Sequence, residues 1–394
     1  MKKTLFIVGG IAAVLVLFAI WLYLLIYGTP KPVAEFFTDF SLFSNTTPAD
    51  NIPSIEQPLI DAPVTVDVST EKLRQLTTRP VAGFVEFKES TTSPRFIRYA
   101  EAGTGHIYSI NLTTGEEIRL SNTTVPNGDS AVFSPNGTYV AIRSGYGTKS
   151  EIVLLTLNAD NTSTAENLTP KMTDFVFSNN NELLYTELTS GGTAGRSIAP
   201  ATKIISNVFT IPFQAVTLVW STNNITPHYI YPKATSKLMG YLYTIRNGVI
   251  VRQTPTGQGL MAGANSNILV HTELINNTPS SFITNLGTGA VSPAPIIFEP
   301  HKCTFGKVST STMYCGYEIT QYGPDYPDAW YQGARSFADR IWKIDLKRKS
   351  ATQLISPETA VGRSIDIINM HIGRGDKMLY FMNKNDNTLW LYEI

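Results

Sequence analysis

Apolar and polar residues alternate with a period of two along most of this chain, in short runs broken by Asn-, Gly-, Ser- and Pro-rich turns. The stretch "AVFSPNGTYVAI", residues 131–142, shows the unit: an apolar run, a tight turn, and a second apolar run. Related units recur as "VAGFVEF", "DFVFSNNNELLYTE", "TLVWSTNNITPHYIY", "LMAGANSNILVHTE", "KCTFGKVSTSTMYCGY" and "INMHIGRGDKMLYFM". Aligned on Phe87, Phe133, Phe177, Trp220, Gly263, Phe305 and Ile372, they repeat at intervals of 46, 44, 43, 43, 42 and 67 residues. The last interval is one ordinary period plus an insertion. A third apolar run follows each hairpin, as in "HIYSINL", "SEIVLLTL" and "DRIWKIDL", and then a more polar fourth run such as "EEIRLSN".

Four short strands per repeat of about 40–45 residues predict an all-β chain built of four-stranded antiparallel blades, a β-propeller. Seven such units predict seven blades. The chain ends on "TLWLYEI", a third strand without a fourth, and "EKLRQLT", residues 71–77, reads as an orphan fourth strand. The expectation is one propeller over residues 64–394, closed by 71–77 pairing with the C-terminal strand so that no sheet edge is left open.

The first residues carry a different pattern. After Lys2 and Lys3, residues 5–27 are uncharged and apolar, and would span roughly 34 Å as a helix, enough for a bilayer core. Trp21, Tyr23 and Tyr27 sit near its end like an interfacial aromatic belt. The run is longer than a signal peptide's apolar region. The expectation is an uncleaved single-pass anchor, with residues 1–4 cytoplasmic and everything after Tyr27 extracytoplasmic, in a periplasm or at the cell surface. Residues 28–62 read as a proline-rich tether, within which Phe36, Phe37, Phe40 and Phe43 stand at helical spacing.

"FSPNGTYVAI" resembles the TolB-like, WD40-like (PD40-type) propeller repeat, whose hallmark is an "FSPDG" segment. "KCTFGKVSTSTMYCGYE" with "YPDAWYQGARSFADRIWKIDL" is similar to uncharacterised membrane-anchored propellers of small-genome bacteria. The resemblance implies a propeller fold and interaction with envelope proteins, but no partner-binding residue of the family maps onto this chain.

Composition and charge narrow the function. Lys plus Arg and Asp plus Glu are each 31, so the chain has no overall field to recruit nucleic acid. Cys303 and Cys315 flank one hairpin turn symmetrically, which places them opposite one another and predicts a disulfide outside the cytoplasm. Only His301 is near them, too few ligands for zinc. No Gly-x-Ser-x-Gly elbow, phosphate loop or His-Glu-x-x-His motif occurs, so no catalytic residue, metal or cofactor is assigned.

The insertion at residues 319–338 breaks the repeat between the second and third strands of one blade, and so emerges at a propeller rim. Its Tyr322, Asp325, Tyr326, Asp328, Trp330, Tyr331 and Arg335 predict either a recognition surface or a plug packed over the channel. Asp325 with Asp328 is a weak acid–base pair. The reading that follows is a non-enzymatic protein-binding or scaffold module of the envelope, contacting the bilayer and an envelope protein. The alternative is a carbohydrate-active lyase or hydrolase with its site at the channel mouth. Carboxylates and histidines gathered at that mouth favour the enzyme; a bare channel with an exposed aromatic rim favours binding.

Overall fold

The structure is a computed structural model of the 394-residue chain that describes residues 64–65, 71–87, 95–145, 150–168, 171–223, 227–318, 322–323 and 325–394. The anchor reading for residues 5–27, with Lys2, Lys3, Trp21, Tyr23 and Tyr27, and the tether lie outside these residues. Among the described residues no helix is long and apolar enough to cross a membrane.

The described chain is nearly all antiparallel sheet. In chain order, sheet A comprises Val81–Phe87, Phe96–Glu101, Ile107–Asn111 and Glu116–Arg119, with Val64–Thr65 added at its outer edge. Sheet B comprises Gly128–Phe133, Tyr139–Ser144, Glu151–Leu157 and Ser163–Leu168. Sheet C comprises Met172–Phe177, Leu183–Thr189, Gly192–Ile198 and Ile205–Ile211. Sheet D has seven strands: Val216–Val219, His228–Pro232, Met239–Arg246, Val249–Ala264, Ile268–Ile275, Thr278–Asn285 and Val291–Pro293. Sheet E comprises Cys303–Phe305, Thr312–Tyr317, Arg340–Asp345 and Ser350–Ile355. Sheet F comprises Ile367–Ile372, Met378–Asn383, Leu389–Glu393 and the early strand Leu73–Gln75.

Each sheet is buried on both faces, which explains why its middle strands read as apolar runs rather than strict alternation. Val140, Ala141 and Ile142 are all fully buried: Val140 and Ile142 pack toward sheet A, Ala141 toward sheet C. In sheet F, Leu379 and Phe381 face sheet E, while Tyr380 and Met382 face sheet A. The cluster of Leu76, Val81, Ile97, Tyr99, Tyr380 and Leu391 thus joins the last sheet to the first. First strands of neighbouring sheets approach most closely. A Cβ on Gly83 would stand 1.9 Å from the Ala131 carbonyl oxygen, so only glycine fits there. Packed sheets arranged around their first strands are the architecture of a β-propeller.

The repeat anchors Phe87, Phe133, Phe177, Phe305 and Ile372 each end the first strand of a sheet. Sheet D departs from the expected four-stranded unit. The single strand Val249–Ala264 serves as outer strand to Met239–Arg246 and then as inner strand to Ile268–Ile275. The ladder shifts register between Gln258 and Met261, and Gly259 has a φ of 60°, so the chain bends without breaking into a turn.

Leu73, Arg74 and Gln75 pair with Tyr392, Leu391 and Trp390. The Leu76 N–H donates to the Leu389 carbonyl at 2.7 Å, and Arg74 pairs with Glu393 at 3.0 Å. Cys303 and Cys315 are directly paired across the first two strands of sheet E and joined by a disulfide, as their spacing predicts. Leu73 is 2 % exposed within the core between sheets E and F. Leu73→Ala is expected to lower unfolding free energy by roughly 2–5 kcal/mol in chemical denaturation. An unchanged midpoint would show that this strand contributes little to closing the fold.

Candidate functional site

Antiparallel connectivity puts four kinds of chain segment at one rim: starts of first strands, ends of second strands, starts of third strands and ends of fourth strands. Lys302 immediately precedes the first strand of sheet E, Asp339 its third strand, and Asp366 the first strand of sheet F. These three meet beneath the rim. Lys302 Nζ donates to Asp339 Oδ2 at 2.7 Å and to Asp366 Oδ1 at 2.6 Å, with Lys302 only 1 % exposed. The carboxylates have further donors. Ile367 N–H donates to Asp339 at 2.8 Å, while Trp330 Nε1 donates to both Asp366 oxygens at 3.1 and 3.0 Å. The Phe337 N–H also donates to Asp366, at 3.2 Å.

Burial alone would push Lys302 down. The charges of Asp339, Glu299 and Asp366 more than reverse this and hold it above the usual lysine range. Asp339 is pushed up to about 6, chiefly by burial, with Lys302 restraining the rise. Glu299, on the same segment as Lys302 and buried, is pushed up to about 7, chiefly by burial and partly offset by Lys302. Burial, and after it the charge of Glu299, holds the Tyr326 hydroxyl well above the usual tyrosine range.

His301 lies one residue before Lys302 and is half-buried. Its Nε2 is 2.8 Å from the Tyr231 hydroxyl and its Nδ1 is 2.8 Å from the Tyr331 hydroxyl. Tyr231 is fully buried, whereas Tyr331 is 43 % exposed. Burial lowers His301 to about 4, so the ring is neutral at physiological pH and donates to one hydroxyl while accepting from the other. Tyr231 also lines an aromatic pocket of about 370 Å³ at this rim, with Phe213, Tyr241, Tyr243, Pro212 and Pro232.

The insertion splits into distinct roles. Tyr326 and Trp330 are buried with Phe337 and Met261, and Tyr322 and Ile368 pack against them. Met261 lies on the part of Val249–Ala264 that pairs with Ile268–Ile275 in sheet D and Ile368 on the first strand of sheet F, so these rings pack across the two sheets. Asp325 and Asp328 do not converge as a pair. Asp325 is exposed and bridges to Lys237 at 3.2 Å, while Asp328 accepts from the Ser236 N–H at 2.7 Å, pinning the one-turn helix Asp328–Tyr331 to sheet D. Arg335 lies over the Phe337 ring at 5.2 Å. Of the insertion's aromatic rings, Tyr331 combines exposure with a hydrogen bond to a histidine. Sequence reasoning missed Glu299, Lys302, Asp339, Asp366 and the Tyr231–His301–Tyr331 chain. The one available signal was a charged residue abutting an apolar strand, as in "HKCTF", "FADRIW" and "SIDII".

A groove of about 890 Å³ opens at the opposite rim and contains none of these groups. We place the candidate site with the ionisable cluster, because strongly shifted carboxyl and imidazole groups gather there. Among the described residues, no three His, Cys, Asp or Glu side chains stand together to hold a metal.

No family model matches the chain, and no curated protein resembles it. Solved structures do. Oligogalacturonate lyase of Vibrio parahaemolyticus superposes with a TM-score of 0.51 at 10 % identity, over 80 % of this chain and 99 % of that one. An oligogalacturonate lyase in complex with manganese gives 0.52 at 10 % identity, over 80 % and 96 % of the two chains. The Cps50 (Swd1) β-propeller domain of Myceliophteria thermophila gives 0.52 at 10 % identity, over 82 % and 99 %. At such identity these likenesses establish the fold: the chain is a β-propeller.

The expectation of a non-enzymatic protein-binding or scaffold module is corrected. The solved propellers of this fold include lyases. Beneath this rim lie three carboxylates, a lysine and a histidine, and of the rings expected to serve recognition Tyr326 and Trp330 are buried.

The raised carboxyls have a pH signature. The native state holds the Glu299 proton more tightly than the unfolded chain, so this group costs nothing below about pH 4.5. Its cost grows as pH rises through about 7; Asp339 acts likewise between about 3.8 and 6. Glu299→Gln is therefore expected to raise the melting temperature at pH 8 and leave it unchanged near pH 4. Equal shifts at both pH values would contradict the burial of an ionisable Glu299. Lys302→Met leaves Asp339 and Asp366 buried without their cation and is expected to cost about 3–5 kcal/mol in denaturant melts. A neutral result would mean that water reaches these carboxylates.

Proposed function

We propose that this chain is a seven-bladed, TolB-like propeller enzyme that acts on oligosaccharides at the rim carrying Tyr331. Sheet D counts as two blades sharing the strand Val249–Ala264, which brings six sheets to seven units. Residues 5–27 would hold the catalytic unit on the outer side of a membrane, within reach of polymers too large to cross it. The observation that carries the enzymatic reading is the exposed Tyr331 hydroxyl 2.8 Å from His301 Nδ1, with the other ring nitrogen held by Tyr231.

In this reading Tyr331 touches the sugar. Its oxygen takes a proton from substrate or from the attacking water while its own proton passes to His301 Nδ1. The glycosidic C–O bond breaks, and the leaving oxygen receives a proton from Tyr331 as His301 returns its own, which restores both groups. His301 is neutral down to about pH 4, hence free to receive a proton, though as a weak base. The Tyr231 hydroxyl on Nε2 fixes the ring orientation, the part that a third group plays in acid–base constellations. The neighbouring aromatic pocket, walled by Phe213, Tyr241 and Tyr243, offers faces for a sugar ring. The likeness to oligogalacturonate lyases supports acidic oligosaccharides as the first substrates to test.

The test is a panel of neutral and uronic-acid oligosaccharides, read by new reducing ends for hydrolysis and unsaturated uronate absorbance for elimination. Tyr331→Phe and His301→Gln are expected to lower kcat by about 100-fold with melting temperature unchanged. No turnover by the native chain across the panel, or full activity in both variants, would overturn the proposal.

A further inference from the structure

At the rim opposite Tyr331, turns of sheets D and E enclose the groove of about 890 Å³, a volume in the range of ligand sites. Its lining contains three cations, Arg246, Lys347 and Lys349, and no acidic residue. The obvious neutralising group is already committed. Asp345 accepts the N–H groups of Lys347 and Arg348 at 3.0 and 2.8 Å, closing the turn, and its remaining attraction goes to Arg348 at 3.8 Å. Lys347 and Lys349 make no ion pair among the described residues, and both are exposed.

Between the cations the lining is made of amides and hydroxyls. Gln253 is tethered to Thr244 at 2.9 Å, and Asn285 Oδ1 caps its own turn by accepting from Gly287 and Thr288. Asn267 and Asn285 are exposed at the groove edge. Such groups donate and accept, as sugar hydroxyls do, and three separated cations suit carboxylates or sulfates spaced along a chain. The one aromatic ring in the lining, Tyr229, is buried at 3 % exposure, so bases have no exposed face on which to stack.

We propose that this groove is a binding site for an anionic polysaccharide, separate from the Tyr331 rim and filled whether or not that rim is catalytic. A site of this kind would hold a long acidic chain on the face opposite the tuned groups. It adds local positive charge to a chain with a net charge of zero, which is why bulk composition gives no sign of it.

The test is equilibrium binding of the full chain to polygalacturonate and dextran sulfate, with neutral dextran and a single-stranded oligonucleotide as comparators. Both charged polysaccharides are expected to bind, dextran is not, and affinity should fall at high salt. The double variant Lys347→Glu with Lys349→Glu should weaken binding by about tenfold or more, as two lost exposed charge contacts imply. Asn285→Ala should weaken it severalfold, and Lys72→Glu, just before the Leu73–Gln75 strand of sheet F, should leave it unchanged. Turnover of short oligosaccharides at the Tyr331 rim, where present, should survive the double variant, which separates failure of this site from failure of that one. Absence of binding, indifference to the double variant, or equal capture of the oligonucleotide would overturn the proposal.

Discussion

A sheet whose middle strands are apolar on both faces needs a neighbour on each, and the described fold depends on the last sheet being completed and packed against the first. The three-residue strand Leu73–Gln75 meets that constraint by completing sheet F, more than three hundred residues away in sequence. Its importance exceeds its length. It positions Leu73 in the core between sheets E and F, and it delivers Leu76 and Val81 into the core between sheets F and A. Every sheet then has a neighbour on each face, and apolar residues can be placed on both sides of each middle strand.

Closure also brings the rim together. Lys302, Asp339 and Asp366 come from three different strand starts on two sheets, and only the packing of E against F puts one ammonium between two carboxylates. Removing charges from water costs several kcal/mol per ion, so such a group is poor evidence of stability by itself. What it does is fix geometry. Asp366 receives Trp330 Nε1 and the Phe337 N–H, tying the insertion to the blades, while Glu299 is left underneath with its carboxyl pushed toward neutrality.

The two rims therefore differ in kind. One holds tuned, mostly buried groups beside a partly exposed tyrosine, Tyr331, which His301 links to the buried Tyr231. The other holds a wide polar groove edged by the exposed Lys347 and Lys349. Burial makes the first set chemically distinctive, and openness leaves the second suited to holding charge. A propeller separates them naturally, because strand ends alternate between rims with every turn.

Period-two alternation and the interval of about 43 residues were enough to read the all-β class, the first-strand anchors and the disulfide from residues alone, because hairpins and opposed cysteines are local in sequence. The bend at Gly257–Gly259 that merges two units into sheet D was not legible, since a glycine pair reads equally as a turn or a bulge. The insertion was visible as a break in the repeat, but its division into buried rings and one exposed tyrosine was not. Side-chain type records what a residue can do. Whether Glu299 is acidic near pH 4 or near 7, and whether His301 meets a tyrosine or water, is decided by desolvation and by neighbours that the fold alone brings into contact.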